Sequence, residues 1–499
     1  MINRLYNIDF LRFLFALTLC VMHLTMGMGS DSNILKDIAV YLAPAQILTD
    51  FFFIISGFFL FSNASDITFK EFFMKKINRL WPVLFLSVLC YFTLSFYNTF
   101  NFDILEQVSM LLFINSLGFF DFWGYTAWFT SVLFFGFLFY FSLRKSLKNV
   151  YAFNTFTTII MITSYFLLID VFHGIGGTSN RIYFTSAGML RAMAGLGVGI
   201  ILYQVINTIS IKEYFKGKFY FFIFGLLEIA LLCLTFKLII NYRPNNNLIF
   251  ILLFIALIIL FVYRVVFFSI FLNNKIFSYG GKYSYSLYMM HFPLMYWIAS
   301  FWWYHNQKFV NQNPLISLIL VTLFICLLSI CVYYFVEKKS KYRFIFIVCV
   351  FLTIIPALIY RFIPLEYNIN YKFNRPHPQI SLTNVSNIDW AAWTTDKQTV
   401  LSFRLDSREK SKLILNLYPY INERHPEQKI SAYIDNQKVA TWLFKLGNEA
   451  PLTVLNLPCR KKQKIVLIME NAISPAELDL GSDSRKLGIA IVSLKVEKE

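Results

Sequence analysis

Residues 9–28 read Asp9-Phe-Leu-Arg-Phe-Leu-Phe-Ala-Leu-Thr-Leu-Cys-Val-Met-His-Leu-Thr-Met-Gly-Met28. The run matches the roughly 20 apolar residues that an α-helix needs to cross a bilayer, yet it holds Arg12 and His23. Charged and titratable side chains are costly in hydrocarbon, so both read first as functional. They lie eleven positions apart. At about 100° and about 1.5 Å per residue they share one helix face, about 16 Å apart along the axis. Asp9 precedes Arg12 by three positions, a spacing at which helical side chains pair.

The rest of the chain extends the pattern. Hydrophobic residues make up 57% and charged residues 15% of 499, and mean hydropathy is +0.58, which excludes an ordinary soluble domain. The net charge of +17 would suit nucleic acid, but its placement in loops points to membrane topology instead, and no nucleic-acid partner is expected. Six of the 7 cysteines fall in apolar segments and Cys459 stands in the polar tail, so no disulfide or metal framework follows. No small-residue cleavage site follows the first apolar run, which is read as a retained span.

Eleven spans are expected, near 9–28, 43–61, 80–98, 127–143, 152–172, 184–205, 219–240, 248–268, 284–304, 314–335 and 344–363. With the N-terminus inside, the cytoplasmic connections carry seventeen Lys and Arg, from Arg4 through Lys76 and Arg79 to Arg343, against four outside, Lys36, Arg181, Arg243 and Lys308. That bias fixes the orientation by the positive-inside rule. The apolar stretch 104–120, flanked by Asp103, Glu106 and Asp121, is read as an interfacial or re-entrant piece, because a twelfth span there would invert every later loop. After Pro364 the chain turns polar, with alternating runs at Thr399–Leu405, Lys412–Leu417, Lys429–Ile434 and Lys464–Met469 and a turn at Asp435-Asn436. Period-2 alternation between turns predicts strands. The fold class is thus an all-α polytopic membrane domain over 1–363, then an extracytoplasmic all-β sandwich over 364–499.

Five motifs then fall in order. They are Asp9-Phe-Leu-Arg12 with His23; Asp50-Phe-Phe-Phe-Ile-Ile-Ser56-Gly57-Phe58; Lys76-Ile-Asn-Arg79-Leu-Trp-Pro82; Ser284-Tyr285-Ser-Leu-Tyr288-Met-Met-His291-Phe-Pro293; and Phe335-Val-Glu337. Together they resemble acyltransferase family 3, the membrane sugar O-acyltransferases, over about residues 1–363. Two departures stand out: Trp128-Phe-Thr-Ser131 is followed by Val-Leu-Phe-Phe where the family often carries a Glu, and Lys338 replaces the usual Pro after Glu337. The resemblance implies a cytoplasmic acyl-CoA donor, acetyl-CoA foremost, with no permanently bound cofactor. It also implies a glycan acceptor, an envelope polysaccharide or lipid-linked sugar.

Acyl transfer to a hydroxyl needs a base and a held thioester. A neutral imidazole suits the first task, so His23 is the candidate base or brief acyl carrier; the bland alternative is a hydrogen-bonded packing residue. Arg12, oriented by Asp9, suits donor phosphates or amides, or simply snorkels. Lys76 and Arg79 suit the same phosphates or serve as positive-inside anchors. Asp50 and Ser56, six positions apart, do not share a helix face, and Ser56-Gly57 suits close helix packing as well as catalysis. Ser284 and His291 do share a face, as a polar strip along a pore with Tyr285 or as structural hydrogen bonds, while Trp128 lies in the fourth span. Arg191 and Glu228 are further intramembrane charges, pairing or lining the pore.

His173, in a glycine-rich loop, has no phosphate-cradle context, and His305, His377 and His425 stand too far apart to predict a metal. The tail lacks a Gly-Asp-Ser motif; its Trp390-Ala-Ala-Trp393, Ser474-Pro475 and Asp483-Ser-Arg485-Lys-Leu-Gly488 resemble an accessory β-sandwich of cell-envelope glycan proteins. Its Trp393 either stacks on sugar or fills the core. The expected function is inner-membrane O-acyl transfer in a bacterium, O-acetyl transfer first and succinyl or another acyl group next. The rivals are a glycan or polyprenyl-lipid transporter and a membrane-anchored glycan receptor.

Overall fold

In the computed structural model, helix α1 (Tyr6–Met28) contains the whole 9–28 run. The structure describes residues 5–498 apart from 29–31, 62–66, 97–103, 119–125, 173, 176, 179, 183–184, 209–217, 242–247, 264–266, 273, 299–306, 339–362, 374–378, 388–390, 407–408, 448–450, 452 and 479–484. The expected span 344–363 therefore lies outside the described residues save its last, as do His173, His305, His377, Trp390 and Asp483.

Among the described residues, eight helices are long and apolar enough to cross a membrane: Tyr6–Gly27, Asn33–Phe58, Phe69–Leu94, Ala127–Ser146, Val150–Val171, Ala187–Thr208, Phe222–Ile240 and Pro314–Glu337. The helices run α1; α2 (Asn33–Leu42); α3 (Leu48–Phe58); α4 (Phe69–Phe96); α5 (Ile104–Leu111); α6 (Ala127–Ser146); α7 (Val150–Phe172); α8 (Ala187–Thr208); α9 (Lys218–Asn241); α10 (Leu248–Tyr263); α11 (Phe267–Leu272); α12 (Lys275–Ile298); α13 (Gln307–Gln312); and α14 (Pro314–Val332), which ends in a wide turn, Tyr333–Glu337.

Two expected boundaries shift for local reasons. The second span begins at Asn33 rather than 43, because a tight turn, Ala43–Ile47, takes Pro44 near its start, where no backbone N–H is needed, and joins α2 to α3. The third begins at Phe69 rather than 80. Its start is set by a capping box in which the Thr68 N–H donates to Glu71 at 2.7 Å and the Glu71 N–H to the Thr68 hydroxyl at 3.3 Å. The stretch 104–120 holds only the eight-residue α5, then turns through Phe113 at φ 61°, whose carbonyl accepts from Ser131 of α6. α10, with 16 residues, is about 24 Å long.

The chain divides into two compact units: Met1–Leu89 with Asp103–Met295 and Lys308–Ile347, and Cys90–Phe102 with Tyr296–Gln307 and Val348–Glu499. Within the first, α3 and α8 pack backbone to backbone. A Cβ at Gly57 would strike the Leu196 carbonyl, and one at Gly199 the Ile54 carbonyl, so only glycine permits this approach. α1 and α12 run parallel. A Cβ on Gly280 would meet Phe13 and one on Gly281 would meet Asp9 at one end; at the other, one on Gly27 would meet Met295. Pro293 sits inside α12 and leaves the Met289 carbonyl without its helical N–H. Ser87 and Thr126 donate their hydroxyls there, at 3.2 and 3.4 Å, the repair that lets proline persist in a membrane helix.

Strand pair β1 (Arg181–Ile182) and β2 (Thr185–Ser186) forms a small antiparallel ribbon before α8. The C-terminal region is β-rich, with β3 (Asn370–Lys372), β4 (Ser381–Leu382), β5 (Val385–Asn387), β6 (Ala392–Thr394), β7 (Gln398–Arg404), β8 (Ser411–Pro419), β9 (Glu427–Ile434), β10 (Gln437–Lys445), β11 (Thr453–Leu457), β12 (Lys462–Met469) and β13 (Ile489–Lys498). One sheet has the order β10-β9-β12-β7-β4; the other runs β11-β8-β13-β6-β5, with β3 also on β13. Asp435 and Asn436, at φ 51° and 64°, make the β9–β10 hairpin turn, where left-handed backbone matches strand twist. Buried Leu401, Phe403, Leu415, Ile430, Ile465 and Ile491 from both sheets join one apolar cluster.

Candidate functional site

His23 of α1 and His291 of α12 meet ring to ring. His23 Nδ1 lies 2.9 Å from His291 Nε2, the rings tilted by 28° with centroids 5.0 Å apart. His291 is fully buried, its Nδ1 3.1 Å from the Leu287 carbonyl one turn back. His23 is only partly buried, with Phe292 edge-on at 5.1 Å. The parallel packing of α1 on α12 brings together two residues that are 268 positions apart in the chain.

The same helix pair carries a charged cluster toward its other end. Arg12 pairs with Asp9 at 3.2 Å and lies within electrostatic range of Arg79 and Glu337. The Ser286 hydroxyl donates to Glu337 at 2.6 Å. The Tyr285 hydroxyl donates to the Leu80 carbonyl at 2.7 Å and sits close to Glu337 and Arg79. Four of the five sequence motifs thus converge here. Lys76 neighbours Arg79, but its ammonium rests 3.5 Å over the Phe137 ring, a cation–π contact. Arg79 is exposed and so is the more available cation for an anionic ligand.

A third cluster absorbs Asp50, Arg191 and Trp128. Arg191 reaches Asp50 at 2.5 and 3.3 Å, the Thr49 hydroxyl at 2.6 Å and the Gly177 carbonyl at 2.8 Å, with its guanidinium 5.3 Å over Trp128. Both charges are buried, and a pair this well bonded acts as a tie between α3, α8 and the loop before it. Arg191 therefore pairs with Asp50, while Glu228 is buried on α9. Tyr288 bridges the clusters, with its ring 5.8 Å from His291 and Arg191 in electrostatic range.

Ser56 is half-buried on α3 beside the close approach at Gly57. Ser284 bonds the Gly281 carbonyl of its own helix at 2.9 Å, so Ser286, two residues on, is the serine that reaches the charged cluster. Sequence reasoning passed over Ser286, and the only local signal for it was its place in a Ser-Tyr-Ser run. Trp393 is half-buried, with Tyr418 and Tyr420 edge-on at 6.3 and 6.0 Å. Its neighbour Ala392 joins the core cluster, so the indole lies on the opposite, outer side of its strand.

Residues 5–336 match the family model of an acyltransferase domain, the third of that name. The match takes in both histidines, Arg12, Arg79 and the Asp50–Arg191 tie. No curated protein and no solved structure matches the chain.

Proposed function

This chain belongs to acyltransferase family 3, and from that premise we propose that it is a membrane O-acyltransferase. It moves an acetyl group from acetyl-CoA to a hydroxyl of an envelope polysaccharide or lipid-linked sugar. The observation that carries the proposal is the His23–His291 contact on the helix pair whose other end holds Arg12, near Arg79 and Glu337. That places a partly exposed imidazole and a cation cluster on one scaffold. In the proposed step the acceptor hydroxyl oxygen bonds the thioester carbon and the C–S bond breaks. The hydroxyl proton passes to His23, which returns it to the departing thiolate, so that acyl ester and CoA thiol are the products. Arg12 and Arg79 hold the donor's phosphates, with Asp9 orienting Arg12.

The wider frame belongs to the same proposal: eleven spans in a bacterial inner membrane, a cytoplasmic N-terminus, and a C-terminal sandwich over 364–499 outside. Its Trp393 face docks glycan. The test is incorporation of radiolabelled acetyl from acetyl-CoA into envelope glycan by membranes that hold the full-length protein. Incorporation with wild type and none with equally abundant His23→Ala supports it; equal incorporation with both contradicts it.

A further inference from the structure

The geometry points to His291 as the residue that fixes which nitrogen of His23 is free to react, a positioning role that rests on the reading of His23 as the transfer base. A carbonyl oxygen only accepts hydrogen bonds. The Leu287 carbonyl, 3.1 Å from His291 Nδ1, therefore places the single proton of a neutral His291 on Nδ1. Its Nε2 is then a bare lone pair. Two lone pairs at 2.9 Å would repel, so His23 Nδ1, which faces that Nε2, carries the proton and donates it. The proton order runs Leu287 carbonyl, His291 Nδ1–H, His291 Nε2, His23 Nδ1–H. What remains is His23 Nε2, bare and turned away from His291.

A second feature agrees. His291 is fully buried while His23 keeps an accessible surface, as expected of one ring that orients and one that reacts. α12 is anchored at this point by the Ser87 and Thr126 bonds to the Met289 carbonyl, so the orienting ring sits on a fixed backbone. When His23 Nε2 takes the hydroxyl proton, the imidazolium keeps its Nδ1–H on an imidazole acceptor, and that hydrogen bond becomes charge-assisted.

The test uses the acetyl incorporation assay above, with the rate followed against acetyl-CoA concentration and normalised to inserted protein. His291→Leu removes the acceptor; His291→Gln offers an amide oxygen near the lost Nε2. The expected result is a maximal rate about a hundredfold lower for His291→Leu, the order of a misplaced general base, with KM for acetyl-CoA unchanged. His291→Gln should recover to within about tenfold of wild type. Equal impairment of the two variants, a raised KM in both, or wild-type rates in both overturns the inference. If His23→Ala is inactive while His291→Leu is not, this inference alone fails. If His23→Ala transfers at the wild-type rate, or wild type transfers no acetyl, the underlying reading fails with it.

Discussion

At the residue scale, Arg191 and Asp50 show how a buried charge is made tolerable. The guanidinium spends its donors on Asp50, Thr49 and the Gly177 carbonyl, so neither ion is left bare. Breaking such a pair from one side strands the other charge, at about 3–5 kcal/mol. Arg191→Leu is therefore expected to lower unfolding stability in detergent by that order. Adding Asp50→Leu should recover part of the loss, since replacing both partners removes the stranded carboxylate; a double variant as unstable as the sum of the two would argue against this account. The Asp9–Arg12 contact was legible, being three residues apart on one helix. Asp50–Arg191 and His23–His291 were not, because 141 and 268 residues separate the partners and only helix packing brings them together. Ser286 was hidden for a related reason: Ser284 and Ser286 look alike in sequence, and only the position of Glu337 tells them apart.

At the element scale, what was legible followed from length and hydropathy. α1, α6, α7 and α8 appear close to where their apolar runs predict, because a bilayer-length helix needs no tertiary partner to be recognised. Boundaries failed where polar chemistry overrode hydropathy. The Thr68-x-x-Glu71 capping box begins α4 eleven residues before the expected start and was readable in the sequence. Thr68→Ala should destabilise the first turn of α4 by about 0.5–2 kcal/mol, seen as faster amide exchange over residues 69–73 with later turns of α4 unchanged; uniform exchange would count against the box. The α3–α8 contact is stricter. A side chain at Gly199 would enter the Ile54 carbonyl, so Gly199→Val should prevent accumulation of folded protein in the membrane, whereas normal accumulation would mean that the helices can separate there.

At the scale of the whole molecule, the helical and β-rich regions are stabilised by different means. The β-rich region carries exposed ion pairs. Glu470 is held down to about 2 by Lys429 and Ser431, and Glu477 to about 2 by Lys486 and Ser474. Both lie below the unfolded carboxylate value of about 4.3, so their contribution is complete above that value and lost as pH falls through about 2. Exchange protection of β12, corrected for intrinsic rates, should stay level from neutral pH to about 4.5 and drop below it, with a shallower drop in Glu470→Gln; an identical drop in that variant would exclude the pair as its cause. The outward Trp393, bracketed by Tyr418 and Tyr420, gives this region an aromatic surface whose position the sequence left open between core and face, because alternation alone does not tell which side of a short strand is covered.

The most direct measurement is the mass of acyl groups on envelope polysaccharide from a deletion strain that carries wild type or an equally expressed, membrane-inserted His23→Ala. The account predicts acetyl esters restored by wild type alone. Equal acylation in every strain, with altered amounts of surface glycan, would contradict it and indicate transport in place of transfer.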